Sequence, residues 1–173
     1  MFEKISKRLE ERAQKIKMIG FDVDGVLTDG SLMIGEEGEL IKRFFALDGH
    51  GMKLAMKFGL EVVVVSARYS KQTINRFEDL GLKEIHVGVE DKLTCVESLL
   101  DKYNLTLDEF AFIGDDSIDV TVLEKAGLAA CPPDSHYSVL KHIHYITERK
   151  GGHGSAREFI DLILAMQGKI PLG

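Results

Sequence analysis

Acidic residues that could hold a metal ion follow two short apolar runs of the chain. Asp22 and Asp24 come directly after the run that ends at Phe21, and Asp115 lies two residues beyond Ile113. In an extended chain, residues i and i+2 point the same way, so the first two carboxylates can face one pocket. An incomplete cage of carboxylate oxygens suits Mg²⁺, which keeps several waters and takes a phosphate oxygen from a substrate. These acids therefore predict a magnesium site that acts on a phosphorylated compound.

The same acids have simpler interpretations, and only one of them can be excluded. A D-x-D sequence also begins the calcium loop of an EF-hand, but here Gly25 is the fourth loop residue instead of the sixth, and the twelfth is Met33 instead of Glu. An Asp-rich turn can also cap a helix. That interpretation stays open for Asp116 and Asp119, because acids in the first turn are favoured by the helix dipole. Asp115 is closer to the strand end and is the better candidate for a metal ligand.

Groups that could bind phosphate follow the other apolar runs. Ser66 and Arg68 end the second run, and Lys92 opens a helical pattern after the third. A cation at a helix start opposes the helix dipole, so Lys92 indicates a functional position, with Asp91 as the expected N-cap. A hydroxyl and a guanidinium can hold phosphate or carboxylate oxygens. Each residue could also be an ordinary turn or surface residue. Their common position at strand ends is a stronger indication of function than any one of them alone.

The elements that must position these residues are apolar strands that alternate with helices. Strands are predicted at 17–23, 62–65, 85–87 and 110–113, with weaker candidates at 128–130 and 145–146. Helical spacing occurs at 70–80, 92–103, 116–126 and 156–164, and in an opening helix with Phe2, Ile5 and Leu9 on one face. Gly127 is the predicted C-cap of the third of these helices. Continuously apolar strands separated by helices indicate a parallel sheet covered on both faces.

The predicted fold class is therefore α/β, a Rossmann-like three-layer sandwich with a central parallel sheet. Ligands bind beyond the carboxyl ends of such strands, which is where the candidate residues lie. One segment, about 30–46, interrupts the alternation with two extended runs, 31–34 and 40–45, around a turn-rich centre. It predicts a small β-hairpin flap. A chain of 173 residues is expected to form one domain, 1–173, with no cap domain.

Composition excludes several classes of function. The chain has 22 basic and 28 acidic residues, so nucleic acid and anionic membranes are not expected partners. No apolar run reaches the length of about 18 residues that a membrane span needs. Cys95 and Cys131 lie far apart with no C-x-x-C, which fits a reducing compartment. Together with a charged N-terminal segment that is unlike a signal peptide, this predicts a cytoplasmic protein.

In this order, the motifs resemble those of the haloacid dehalogenase superfamily. The run D-x-D-G-x-L-T-D-G at 22–30 is similar to its first motif, and Ser66, Lys92 and G-D-D-x-x-D at 114–119 are similar to its second, third and fourth. The resemblance covers about 17–127 and implies phosphoryl transfer through an aspartyl-phosphate.

A finer resemblance extends over nearly the whole chain. The flap, D-G-x-G at 48–51, S-A-R at 66–68 and R-K-G-G-H-G at 149–154 are similar to sequences of 3-deoxy-D-manno-octulosonate 8-phosphate phosphatases. That family acts in lipopolysaccharide synthesis, and it implies a phosphorylated sugar acid as the substrate.

The resemblance implies a role for each motif residue. Asp22 would be the nucleophile, and Asp24 would protonate the leaving oxygen and then activate the hydrolytic water. Asp22, the backbone carbonyl of Asp24 and Asp115 would hold Mg²⁺. Ser66 and Lys92 would hold the phosphoryl oxygens.

Other residues would contact the rest of the substrate. Arg68 and Arg76 would bind the sugar acid or the phosphate, whereas His50 and the loop 151–154 are weaker candidates. Capless members of the family form homotetramers, so the resemblance also implies a homotetramer, with 168–173 or the loop 151–154 reaching a neighbouring site.

Two alternatives remain at this stage. The same chemistry could serve a sialic-acid 9-phosphate or another sugar phosphate. In another class of function, the acids, Ser66 and Lys92 could belong to a receiver-like phospho-acceptor signalling module. The receiver arrangement places its acceptor after a middle strand, whereas here the first strand carries the D-x-D pair, which favours the phosphatase.

Overall fold

The computed structural model describes residues 6–36 and 38–171. Within them, eight strands alternate with six α-helices. The strands are β1 (Met18–Phe21), β2 (Met33–Gly35), β3 (Gly38–Ile41), β4 (Glu61–Ser66), β5 (Glu84–Val87), β6 (Phe110–Ile113), β7 (Leu128–Cys131) and β8 (Tyr145–Ile146). The helices are α1 (Lys7–Lys15), α2 (Ala46–Lys57), α3 (Lys71–Leu80), α4 (Lys92–Tyr103), α5 (Val120–Leu123) and α6 (Ser155–Met166). Short 3₁₀ helices lie at Leu107–Glu109, Ser117–Asp119 and Tyr137–His142.

Six strands form one parallel sheet in the order β5-β4-β1-β6-β7-β8. The centre is β1, where Gly20 pairs with Val63 of β4 on one side and with Phe112 of β6 on the other. All four residues of β1 are buried. The carboxyl ends of β1, β4 and β6 therefore lie side by side, and the segments that follow them meet at one edge of the sheet.

Helices cover both faces of this sheet, which confirms the predicted three-layer sandwich. On one face, buried residues of α1, α2, α3 and α6 form a core with Ile19 and Phe21 of β1. On the other face, residues of α4 and α5 pack against Met18 of β1 and Val63 of β4. Successive residues of a strand point to opposite faces, so β1, β4, β6 and β7 contribute to both cores.

The predicted flap is an antiparallel hairpin of β2 and β3 that forms a sheet of its own. It is shorter than predicted, because β3 ends at Ile41. The following Phe44 turns back to the core, where its ring lies 5.4 Å from that of Phe77 at an interplanar angle of 79°. Phe45 is the N-cap residue of α2. Between β1 and α2 the described residues contain this hairpin and no cap domain.

Helix α2 is absent from the sequence prediction, because its glycines lower the helical propensity of the segment. The structure gives these glycines a packing role. A Cβ on Gly51 would lie 2.8 Å from Cδ of Arg157 on α6, and a Cβ on Gly49 would lie 2.6 Å from an Arg76 nitrogen on α3. Asp48 accepts a 2.8 Å hydrogen bond from the backbone N–H of Arg157 and so caps α6 from a different helix.

Two predicted helix boundaries need comment. Gly127 is not a C-cap, so that prediction was wrong. Helix α5 ends at Leu123, and a Cβ on Gly127 would lie 2.4 Å from the carbonyl oxygen of Asp108, so close backbone packing explains this glycine. Helix α1 begins after the N-cap Ser6 with Leu9 buried as predicted, while Phe2 and Ile5 lie outside the described residues.

Among the described residues, no helix combines the length and apolar character that a membrane span requires.

Candidate active site

The loop that follows β1 holds the first two acids in place. The backbone N–H of Asp22 donates to the carbonyl of Ile113, so the loop stays attached to β6 as the strand ends. The chain then turns, because Leu27 and Thr28 both donate to the carbonyl of Val23. Asp22 and Asp24 do line one cavity, as predicted, although a turn and not an extended strand brings them there.

Because Gly25 has no side chain, Asp115 from the segment after β6 can reach the loop that follows β1. Its φ is +91°, and a Cβ built on it would lie 2.0 Å from Oδ2 of Asp115. Any side chain at this position would occupy the place of the Asp115 carboxylate. The glycine of the D-x-D-G motif therefore has a steric role in the site as well as a conformational one.

A buried lysine connects two of the carboxylates. Nζ of Lys92 lies 2.6 Å from Oδ1 of Asp22 and 2.6 Å from Oδ1 of Asp119. Burial opposes the charged form of Lys92, but the two carboxylates outweigh it and raise its pKa. Asp91 caps α4 by accepting from the N–H of Thr94, as predicted, which fixes the start of the helix that carries this lysine.

Asp119 organises the loop after β6. Its Oδ2 accepts the backbone N–H groups of Asp115 and Asp116 at 3.0 and 3.2 Å, while its Oδ1 accepts from Lys92. Its side chain is fully buried. Asp116 caps the short helix by accepting from the N–H of Ser117, and its own side chain is half exposed. The capping interpretation therefore describes both residues, and Asp119 in addition holds Lys92.

The carboxylates of Asp22, Asp115 and Asp119 converge closely enough to hold a cation. One oxygen of each lies within 4.8 Å of the others. Burial, followed by the charge of Asp119, raises the pKa of Asp22 to about 7 despite the opposing Lys92. Burial, followed by the charges of Asp22 and Asp119, raises the pKa of Asp115 to about 8. Crowded carboxylates with raised pKa values fit a divalent cation, which would offset their mutual repulsion.

The Asp24 carboxylate is directed to a different set of partners. Its Oδ1 lies 2.8 Å from Nζ of Lys42, and its Oδ2 lies 3.1 Å from Nε of Arg68. Lys42 follows the flap, and its side chain is only 2% exposed. This position fits the backbone carbonyl of Asp24, and not its side chain, as the metal ligand implied by the resemblance. The sequence analysis missed Lys42, since nothing in a predicted flap strand marks one lysine as a partner of an acid 18 residues earlier.

The acids open into a cavity of about 460 Å³. Its lining includes Ser66 and Arg68 from the end of β4 and the exposed side chain of Ile118. Ser66 is buried and accepts from the backbone N–H of Arg68 at 3.3 Å. Arg76 is not part of this lining. It lies on α3 beside a separate small cavity that Asp48 also lines, so its role in substrate binding stays a prediction.

The loop 151–154 packs on the loop that follows β1 in its own chain. The N–H of Gly152 donates to the carbonyl of Val26, and a Cβ on Gly151 would lie 1.8 Å from the carbonyl oxygen of Gly25. His153 also lies 3.1 Å from Arg43, which pairs with Asp29. The loop 151–154 thus supports the segment that carries Asp22 and Asp24.

A buried glutamate that the sequence analysis missed holds the chain before this loop. Glu158 accepts the backbone N–H groups of Glu148 and Arg149 and the hydroxyl of Tyr145. It lies in the first turn of α6 and is 2% exposed. A glutamate in an otherwise apolar helix face is the signal that could have indicated this role.

Comparisons with known proteins agree with the geometry. A model of haloacid dehalogenase-like hydrolases matches residues 84–159. The 3-deoxy-D-manno-octulosonate 8-phosphate phosphatase of Salmonella typhi is 36% identical over 166 residues, which cover 96% of this chain and 88% of that protein. The structure of this phosphatase from Yersinia pestis superposes with a TM-score of 0.93 at 35% identity, covering 95% of this chain and 89% of that one.

A third relative was solved with ligands. The phosphatase of the same name from Moraxella catarrhalis, in complex with magnesium, phosphate and 3-deoxy-D-manno-octulosonate, has a TM-score of 0.91 at 32% identity. The match covers 95% of this chain and 94% of that chain.

A parallel α/β sheet with an acidic loop after β1, an acidic turn after β6 and a lysine that connects them defines a haloacid dehalogenase-like hydrolase. Within that class, the chain belongs to the family of 3-deoxy-D-manno-octulosonate 8-phosphate phosphatases. This membership favours the phosphatase over the receiver-like module that the sequence alone left open.

Proposed function

We propose that this protein hydrolyses a phosphate monoester with Mg²⁺ through an aspartyl-phosphate, and that its substrate is 3-deoxy-D-manno-octulosonate 8-phosphate. The observation that carries the proposal is the position of the Asp22 carboxylate, which touches Lys92 on one side and Asp115 on the other while it borders the open cavity. A nucleophile of an anionic ester needs such cationic support, because a phosphate dianion would otherwise be repelled.

The residues divide the reaction between them. The Asp22 carboxylate attacks phosphorus, and Asp24 gives a proton to the departing sugar oxygen. In the second half, Asp24 takes a proton from the water that attacks the acyl phosphate, which frees Asp22 and inorganic phosphate. Ser66 and Lys92 hold phosphoryl oxygens. Asp22, Asp115 and the Asp24 carbonyl would hold Mg²⁺, which when bound supplies positive charge to the phosphoryl group.

The preference for a sugar acid rests on cations that the phosphoryl group does not need. Arg68 is about half exposed at the cavity, and Lys42 lies beside it on Asp24. The Arg68 side chain can turn to a substrate carboxylate as the sugar enters, while Lys42 stays on Asp24. The liganded relative from Moraxella catarrhalis, which contains 3-deoxy-D-manno-octulosonate, supports the same chemistry here. A sialic-acid 9-phosphate, also a phosphorylated sugar acid, is the second candidate.

A hydrolysis screen tests the proposal. Phosphate release with Mg²⁺ is measured on 3-deoxy-octulosonate 8-phosphate, a sialic-acid 9-phosphate and glucose 6-phosphate, with the Asp22→Asn protein as the control. We expect the octulosonate ester to have the highest kcat/KM and the variant to lose several orders of magnitude. Full turnover by a folded Asp22→Asn protein, or full activity in excess chelator, would overturn the mechanism. Equal kcat/KM on the first and third substrates would overturn the substrate assignment alone.

We also propose that the protein is cytoplasmic and works as a homotetramer. Support for assembly comes from the flap, where Met33, Ile34 and Ile41 are each more than half exposed. A lone two-stranded hairpin is marginally stable in water, so a partner surface would stabilise it. The loop 151–154 packs on its own chain, and so do Lys169, which donates to the carbonyl of Phe58, and Ile170, so the exposed flap is the part that would meet a neighbour. Light scattering decides this point, since a fully active species of 19.3 kDa would contradict it.

A further inference from the structure

A second polar cavity lies far from the catalytic acids. It has a volume of about 410 Å³ and is bounded by α1, by the end of the short helix Tyr137–His142 and by the residues that lead into β8. His144, which lines it, directly precedes β8. The strands are parallel, so the amino end of β8 and the catalytic loops lie at opposite edges of the sheet. This cavity is therefore separate from the proposed phosphatase site.

Cations dominate its lining. Arg8, Arg12 and Lys141 contribute three permanent positive charges, and His142 and His144 are also part of the lining. Within residues 6–36 and 38–171, Glu124 is the one acid that lines it, and that carboxylate lies 3.0 Å from the ring of His142. The chain as a whole carries a net charge of −6, so a local excess of cations here is opposite in sign to the protein.

One donor in this cluster is buried without a partner. Among the described residues, Nε of Arg12 is inaccessible to solvent and has no hydrogen-bond acceptor, although the same guanidinium donates through another nitrogen to the carbonyl of Gly127. A buried charged donor left unpaired costs free energy, and a small shift of the Arg12 guanidinium toward a bound anion would relieve that cost.

His144 adds a donor of fixed orientation. Its Nδ1 accepts the backbone N–H of Ala129 at 3.0 Å, so the ring proton is carried by Nε2. Burial, together with the charges of Arg12 and Arg8, lowers the pKa of His144. Arg8 and Arg12 therefore both disfavour the protonated form of His144. A bound anion would reduce that repulsion.

The nearby acids neutralise this group only in part. Glu11 and Asp108 line a neighbouring cavity with Arg8, Arg12 and Lys15. Among the ion pairs between described residues, none joins Arg8 or Lys141 to an acid. The two cavities share Arg8 and Arg12, so together they hold four permanent cations and three acids, and the excess of positive charge lies in the first cavity.

We propose that the cavity between α1 and the segment 141–144 is a second, non-catalytic anion site that binds a multiply charged phosphate group. Charged donors of both guanidinium and ammonium type, with an imidazole N–H, match the several acceptor oxygens of a phosphate. A phosphate matches this lining better than a monocarboxylate, because three permanent cations exceed the charge of one carboxylate. The ligand can be free phosphate, a diphosphate or a phosphorylated metabolite, all of which share this chemistry.

The test follows the histidine rings of the cavity by ¹H–¹³C NMR while pyrophosphate, and separately inorganic phosphate, is added to the Mg²⁺-free protein. His142→Gln and His144→Gln variants assign the signals. We expect the His144 signal to shift and saturate at or below about 10 mM pyrophosphate. Saturation with inorganic phosphate as well would assign the site to a single phosphoryl group, and saturation with pyrophosphate alone would assign it to a diphosphate.

Matched variants separate this site from general charge effects. In Arg8→Gln/Lys141→Gln, pyrophosphate affinity at His144 should fall by at least about tenfold, since each cation is a charge-assisted donor. Lys53→Gln/Lys57→Gln on α2 removes the same charge elsewhere and should leave affinity unchanged, as should Ser66→Ala at the catalytic cavity. Both double variants should keep the kcat/KM of the native enzyme. An unshifted His144 signal at 10 mM, equal losses in the two double variants, or loss of the shift in Ser66→Ala would each overturn the proposal.

Discussion

The ammonium of Lys92 and the carboxylate of Asp22 lie 2.6 Å apart, and their side chains are only 2% and 5% exposed. The same ammonium contacts Asp119, whose other oxygen holds the loop that carries Asp115. A single cation thus joins the proposed nucleophile to the opposite half of the acidic cluster. Lys92 therefore offsets the charge of Asp22 and, through Asp119, also holds the loop that carries Asp115.

Replacing Lys92 with methionine keeps an unbranched side chain one atom shorter and removes the charge. We expect kcat to fall by about 10²–10³ or more, because the phosphoryl oxygens lose a fixed donor. The free energy of unfolding without Mg²⁺ should also fall by about 3–5 kcal/mol, since two buried carboxylates lose their partner. Steady-state kinetics and urea unfolding measure the two effects. Lys71→Met at the exposed start of α3 is the control, and near-native kcat in Lys92→Met would contradict the assignment.

Stability should fall with rising pH in the metal-free protein, and the stabilisation that Mg²⁺ adds should grow with pH. Folding raises the pKa of Asp22 to about 7 and that of Asp115 to about 8, so between pH 4 and 8 the metal-free folded state binds more protons than the unfolded state. Stability of the metal-free protein should therefore fall as pH rises through that range. Saturating Mg²⁺ holds the carboxylates ionised, so its stabilising effect should grow with pH. Melting temperatures from pH 5 to 9, in chelator and in Mg²⁺, check both trends, and identical profiles would contradict the metal site.

The sequence predicts much of the candidate site well, because several of its residues follow strand ends directly. Asp22, Ser66 and Asp115 each lie within two residues of an apolar strand, and a parallel sheet brings those ends together whatever the details of the loops. The flap hairpin is also local, since a turn-rich centre between extended runs is enough to indicate it.

Features that depend on distant contacts could not be predicted in the same way. Helix α2 contains two glycines whose value lies in close packing against α3 and α6, and propensity alone argues against it. The pairing of Lys42 with Asp24 needs the flap to fold back over the catalytic loop. The end of the flap before Phe45 was also missed. It depends on a distant contact, because the neighbouring Phe44 leaves the flap and packs against Phe77 in the core.

The support that the loop 151–154 gives to the catalytic loop can be tested with one methyl group. In Gly151→Ala, the new Cβ would lie 1.8 Å from the carbonyl oxygen of Gly25, so one of the two backbones must move. We expect kcat to fall and stability to drop by about 1–3 kcal/mol, as in other overpacked interiors. The control is Gly59→Ala, where no atom lies within 4 Å and only its left-handed φ of +83° is strained. Equal kcat in the two variants would show that the loop does not position the site.

Selectivity for a sugar acid should depend on Arg68. Its side chain is about half exposed at the cavity and makes one contact with Asp24, so it can engage a substrate carboxylate without unfolding its surroundings. In Arg68→Gln, the ratio of kcat/KM for 3-deoxy-octulosonate 8-phosphate to that for glucose 6-phosphate should fall by about tenfold or more, because a charge-assisted bond to a carboxylate contributes about 1.5–3 kcal/mol. The activity toward p-nitrophenyl phosphate, which has no carboxylate, should change much less. Lys71→Gln removes the same charge from the nearby surface of α3 and should leave the ratio unchanged. An unchanged ratio in Arg68→Gln, or an equal loss on all three esters, would mean that Arg68 serves Asp24 or the phosphoryl group and not the sugar acid.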